Sequence, residues 1–228
     1  MKFPFKFPMK KSERILGCIY IPIHSVVLPL LLGILLSLFA PDTQPPYQML
    51  IYYTASLILT LSIMLSFLRD SFSDLIDGFW RAVQAIILGY VLYRVLLWLA
   101  ALLSTQIIIG SNPNTEEFDA VAKINFKILL IVAVVIAPIV EEAMFRGALF
   151  GSIRQKNRIA AYIVSALVFA VYHLWDYMLF DFKPEIIIYS IQYIPASIAL
   201  AWCYERGGTI WAPILLHAAI NLGVALQM

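Results

Sequence analysis

At 228 residues the chain is long enough for one domain of ordinary size. It is 62% hydrophobic and 13% charged, against about 45–50% and about 25% in soluble proteins, which excludes a water-soluble globule and points to a membrane protein. The net charge of +2 gives no case for nucleic acid as a partner.

The chain opens on a basic stretch, "MKFPFKFPMKKSER", followed by an apolar run over 15–40. That run is too long for a cleaved signal peptide and is expected to be a retained first span. Further apolar runs predict spans over 47–68, 82–109, 124–151, 159–178, 185–203 and 209–227, seven in all. Between the second and third, "RDSFSDLIDGFWR" (Arg69–Arg81) reads as a short interfacial helix. The connections "PDTQPP", "SNPNTEEFDAVAK" and "DYMLFDFKP" read as loops. Cys18 and Cys203 lie in apolar runs without metal-type spacing, so neither a disulfide nor a metal is expected of them.

Basic residues sort these connections. Lys2, Lys6, Lys10, Lys11 and Arg14 precede the first span. Arg69 and Arg81 follow the second, Arg154, Lys156 and Arg158 the fourth, and Arg206 the sixth. With seven spans all four clusters fall on one side, which predicts a cytoplasmic N-terminus. The fold class is therefore an all-α, polytopic transmembrane helical bundle whose first partner is the lipid bilayer. It divides into N-terminal helices over 1–123 and a polar-bearing core over 124–228.

Ionisable groups at membrane depth cost about 2.5–3.5 kcal/mol even on the lenient insertion scale, so each needs a partner, a watery cavity or a task. Three segments of this chain carry them. "VEEAMFR" (Val140–Arg146) sets Glu142 and Arg146 four apart, able to pair on one helical face, and leaves Glu141 without an evident local partner. Pro138, just before, withdraws the donor for the Val134 carbonyl and should loosen the helix beside a cavity. A structural ion pair gluing helices is the plainer alternative for Glu142 and Arg146. "FAVYH" places Phe169 and His173 four apart, with Tyr172 and Trp175 beside them as interfacial aromatics. "HAAIN" does the same for His217 and Asn221, which could equally be interhelical glue. His24, the remaining one of three histidines, lies by Pro22 far from any acid and reads as structural.

Taken together and in this order, "EEAMFRGALFG", "SALVFAVYHL" and "GTIWAPILLHAAINL" resemble the CPBP family, the CAAX-processing and bacteriocin-processing membrane proteases also called Abi. The resemblance covers roughly 126–227, and the first half of the chain carries nothing comparable. It implies an intramembrane endopeptidase acting on membrane-associated or CAAX-type peptides, lipidated ones included. Glu141 would activate a water and His173 would hold and polarise it. His217 and Asn221 would form the oxyanion hole, and Glu142, Arg146 and Phe169 would support the site.

The family is often labelled metalloprotease, yet the two-His, four-apart zincin pattern is absent. A metal-free, glutamate-based reaction is favoured; if zinc were held, Glu141, His173 and His217 would be its ligands. Bacteriocin self-immunity or regulation by binding is the alternative function, and a proton-coupled transporter is a weaker one, since no inverted repeat is visible. The expected location is a bacterial plasma membrane. Depth poses a problem for a single site: at about 1.5 Å per residue His217 lies about 12 Å and His173 about 21 Å from the inner end, so the helices must bend or be offset.

Overall fold

In a computed structural model of the chain, the structure describes Phe5 and residues 7–104, 112–181 and 183–227. Lys2 and Lys6, and the predicted end of the third span at 105–109, lie outside the described residues. Among the described residues, five helices are long and apolar enough to cross a membrane: α1 (Lys11–Phe39), α2 (Pro45–Asp77), α3 (Phe79–Ser104), α4 (Pro113–Arg154) and α7 (Pro184–Gly207). Two shorter apolar helices, α5 (Arg158–Tyr172) and α8 (Trp211–Ala225), complete the seven predicted segments, and a short α6 (Trp175–Phe180) joins α5 to α7. Large apolar side chains such as Ile34, Leu38, Trp80, Trp98 and Ile163 face outward, as lipid-facing helices require. Phe67, Phe145, Phe150, Phe169, Tyr204 and Leu200 fill the interior.

Three expectations need correction. Residues 69–81 are not a separate interfacial helix: α2 continues past a kink at Met64 to Asp77, and the turn at Gly78 parts it from α3. Nothing in Arg69–Asp77 breaks a helix. The Ser71 carbonyl accepts from Thr209 Oγ1 at 2.6 Å, so this end of α2 packs on the α7–α8 turn. Residues 113–123 are not a loop, because Asn112 caps α4 by accepting from the Asn114 amide at 3.1 Å and Pro113 starts the helix. The fifth span ends at Tyr172 rather than 178, and the chain turns at His173 and Leu174 before α6.

The positively charged connections do share one end of the bundle. Arg14 reaches Gln155 at 3.4 Å, Arg81 donates to the Gly207 carbonyl at 2.9 Å, and Arg154 and Arg158 both pair with Glu205. Gly208, at φ 74°, makes the left-handed turn that ends α7 there. At the opposite end Asn112 and Asn114 donate to the Tyr193 hydroxyl at 3.1 and 3.0 Å.

Backbone irregularity sets where the site falls. A kink at Met64 (φ −123°) loosens α2, and the buried Glu13 takes the freed Phe67 amide at 3.1 Å and the Ser66 hydroxyl at 2.6 Å. In α4, π-helical segments at Ile131–Ile136 and Ala143–Phe150 flank the single α-turn Ala137–Glu142 that carries the paired glutamates. Such wide turns recur at functional sites because they free carbonyls and re-aim side chains.

Candidate active site

The wide turn before Pro138 shifts the hydrogen-bond register by one residue. The Ala137 amide reaches back five residues to the Val132 carbonyl. The next donor in that register would be residue 138, and proline has none, so the carbonyl left over is that of Ala133 rather than Val134. Asn221 fills it: its Nδ2 donates to Ala133 O at 2.8 Å from α8. This fixes the amide's orientation and leaves the second Nδ2 hydrogen available.

Glu142 and Arg146 are fully buried and paired at 2.9 Å. The same Glu142 oxygen accepts from His217 Nδ1 at 2.8 Å. Arg146 also donates to Ser197 Oγ at 3.1 Å and lies over the Phe169 ring, 4.2 Å from its centre. A chain of contacts thus runs from α7 through α4 to α8, and the guanidinium, imidazole and aromatic ring brace one another.

Glu141 turns the other way. Its Oε1 accepts from the Tyr53 hydroxyl at 3.2 Å and, at a longer 3.5 Å, from that of Tyr172. Its Oε2 is buried without a hydrogen-bond partner and lies 3.9 Å from His217 Nε2. Because His217 Nδ1 faces a carboxylate, Nδ1 carries a proton. Nε2 is then either a bare acceptor facing a carboxylate oxygen or a second N–H.

His173 sits at the C-terminal end of α5. Its Nδ1 donates to the Phe169 carbonyl at 2.8 Å, and its ring stacks on Tyr193 with centres 4.3 Å apart. That leaves Nε2 as an acceptor. Glu141, Phe169, His173, His217 and Asn221 line one cavity of about 580 Å³. Its lining extends to a polar rim of Asn112, Asn114, Glu117, Asp176 and Gln192. At that rim, burial raises the Asp176 carboxyl above its usual range. Glu142 and Arg146 stand behind the cavity wall.

The depth problem is resolved by geometry. The helix carrying His173 stops at that residue, and the one carrying Glu141 is widened on both sides. Sequence reasoning missed Tyr53, Tyr172 and Ser197 as partners of the charged groups. Tyr172 is turned inward instead of standing at the interface, and the position beside His173 in "VYH" was its only signal. Among the described residues no three His, Cys, Asp or Glu side chains are gathered closely enough to hold a metal ion.

Residues 123–223 match the family described as type II CAAX prenyl endopeptidase Rce1-like. Over this segment the chain is similar to that family. UPF0177 protein YxdF of Lactococcus lactis subsp. lactis (strain IL1403) is 26% identical over 131 residues, 55% of this chain and 66% of that protein. The putative membrane peptidase YdiL of Bacillus subtilis (strain 168) is 26% identical over 123 residues, 53% of this chain and 46% of that protein. The membrane-embedded CAAX protease MroQ of Staphylococcus aureus (strain USA300) is 31% identical over 144 residues, 59% of this chain and 53% of that protein. Over these regions the chain spans about half to two thirds of the length of these relatives. No solved structure matches. The apolar helices and bacterial relatives make the chain a multi-pass bacterial membrane protein.

Proposed function

We propose that the chain is an intramembrane endopeptidase in which Glu141 activates a water without the aid of a metal. The observation that carries this is the Glu141 carboxylate itself, with one oxygen held by tyrosine hydroxyls and the other bare, buried and on a cavity wall. A general base needs a free lone pair within reach of the water it deprotonates. In this reading a water between Glu141 Oε2 and His217 Nε2 gives its proton to Oε2 and attacks the scissile carbonyl carbon. The carbonyl oxygen gains the negative charge and is met by His217 Nε2–H and the second Asn221 N–H. Each such donor is worth about 10²–10³ in turnover. His173 Nε2 accepts from the water's other hydrogen and orients it. Protonated Glu141 then passes its proton to the departing amine, the C–N bond breaks, and the carboxylate is restored.

Substrates would be peptides of membrane proteins or membrane-anchored tails, and the relatives named as CAAX protease and membrane peptidase support that class. The test is cleavage of an internally quenched peptide library by the purified protein in detergent. Wild type and Glu141→Ala are compared, each with and without a zinc chelator. The expected result is cleavage lost on Glu141→Ala with the fold retained, and no effect of chelator. Active Glu141→Ala protein would overturn the assignment, and reversible loss with chelator would replace it with a metal reaction.

A further inference from the structure

Of the two partners of Glu141 Oε1, Tyr53 lies outside the matched segment and Tyr172 inside it. Tyr53 belongs to α2, and Tyr172 is itself held from α1 by His24. The His24 ring is fully buried. Its Nε2 lies 2.9 Å from the Tyr172 hydroxyl and its Nδ1 3.0 Å from Ser56 Oγ. Tyr52 closes over the ring, stacked at 5.1 Å, with its hydroxyl 3.0 Å from the His24 carbonyl. Only hydroxyl groups contact the imidazole nitrogens among the described residues.

One direction of protons connects these groups to the carboxylate. Ser56 O–H donates to His24 Nδ1, His24 Nε2–H donates to the Tyr172 oxygen, and Tyr172 O–H donates to Glu141 Oε1. The reverse direction would turn the Tyr172 proton onto the imidazole and remove a donor from a buried carboxylate, which is the costlier arrangement. We propose that His24 is a positioning residue for the base: its Nε2–H turns the Tyr172 hydroxyl onto Glu141 Oε1, so that Oε2 is the oxygen left for water. This rests on the peptidase reading for its consequence in catalysis, and on geometry alone for the relay. The N-terminal helices then complete the site as well as anchoring it.

The test uses the full chain in detergent with His24→Phe, His24→Gln, Tyr172→Phe and the His24→Phe/Tyr172→Phe double variant. Loss of a hydrogen bond to a charged group predicts a fall in kcat of about tenfold for His24→Phe, with KM unchanged. His24→Gln, which places an N–H near the former Nε2, should recover most of it. The double variant should be no slower than Tyr172→Phe alone. Effects that multiply, a change confined to KM, or a glutamine variant as slow as the phenylalanine one would overturn the proposal. If His24→Phe does not fold, His24→Asn, which keeps only the Ser56 side of the contact, carries the same expectation.

A second readout needs no turnover: the initial rate at which a hydrophobic carbodiimide labels Glu141, followed by peptide mass spectrometry with Glu141→Gln as the blank. Labelling should rise several-fold, and equally, in His24→Phe, Tyr172→Phe and the double variant. Unchanged labelling would overturn the relay. If wild type cleaves nothing while labelling follows this pattern, the relay stands and the peptidase reading falls.

Discussion

Removing the Arg146 guanidinium should be among the most damaging single changes in the molecule. Both partners of the Glu142–Arg146 pair have fully buried side chains, so water cannot replace either. In Arg146→Met the long apolar stem is kept, and Glu142 retains His217 as a hydrogen-bond partner. Its second oxygen already lacks a partner. Breaking a buried pair from one side typically costs about 3–5 kcal/mol, because the remaining charge is stranded. The Phe169 cation–π contact is lost in the same step and lies within that figure. The assay is equilibrium unfolding in mixed micelles, comparing wild type, Arg146→Met, Glu142→Gln and the double variant. The double variant should be more stable than Arg146→Met by about 2 kcal/mol or more, since it strands no charge. A cost below about 1 kcal/mol for Arg146→Met, or additive effects in the cycle, would refute the argument.

Pro138→Ala should return an amide to the Ala133 carbonyl and release Asn221. Turnover is expected to fall about tenfold to a hundredfold while the melting temperature holds or rises, measured on the same preparation. Gly89→Val places a Cβ 2.8 Å from Leu216 Cδ2 and 3.3 Å from Cys203 Cβ. That overpacking should cost about 1–3 kcal/mol by the same unfolding assay, with KM unchanged. Sidedness is tested after Cys18 and Cys203 are replaced by alanine. Asp42→Cys should then react with an impermeant thiol reagent in intact cells, and Lys156→Cys only after lysis; the reverse pattern would place the N-terminus outside.

Much of the architecture was readable because bilayer physics is one-dimensional. Apolar runs announced the helices, and the basic clusters correctly grouped the connections at one end of the bundle. The four-residue spacings foretold which side chains share a face, as Phe169 and His173 do with ring centres 4.5 Å apart. What escaped the reading depends on packing between distant segments. Tyr53 and Glu141 are 88 positions apart, and His24 and Tyr172 are 148 apart. No local pattern marks a tyrosine as a carboxylate's donor rather than an interfacial anchor. The π segments were equally silent, since Val, Ile and Ala suit either helix. Only Pro138 hinted at irregularity, and the register shift moved its effect by one carbonyl. The cap at Asn112 was different: asparagine, proline and two glutamates spelled a helix start, and the polarity of the stretch disguised it as a loop.

The two shortest apolar helices also bear on the lipid around the protein. α5 and α8 each have 15 residues, about 22 Å of helix against a hydrocarbon core of about 30 Å. Both carry site residues, His173 at the end of one and His217 and Asn221 within the other. Where either faces lipid, it falls short of the hydrocarbon core by about 8 Å. Hydrophobic mismatch at such a helix is relieved in part by thinning the bilayer, which would bring the aqueous phases nearer the cavity. A hydrolase needs water and a membrane-bound substrate at one point, and a locally thinned bilayer supplies the first without surrendering the second.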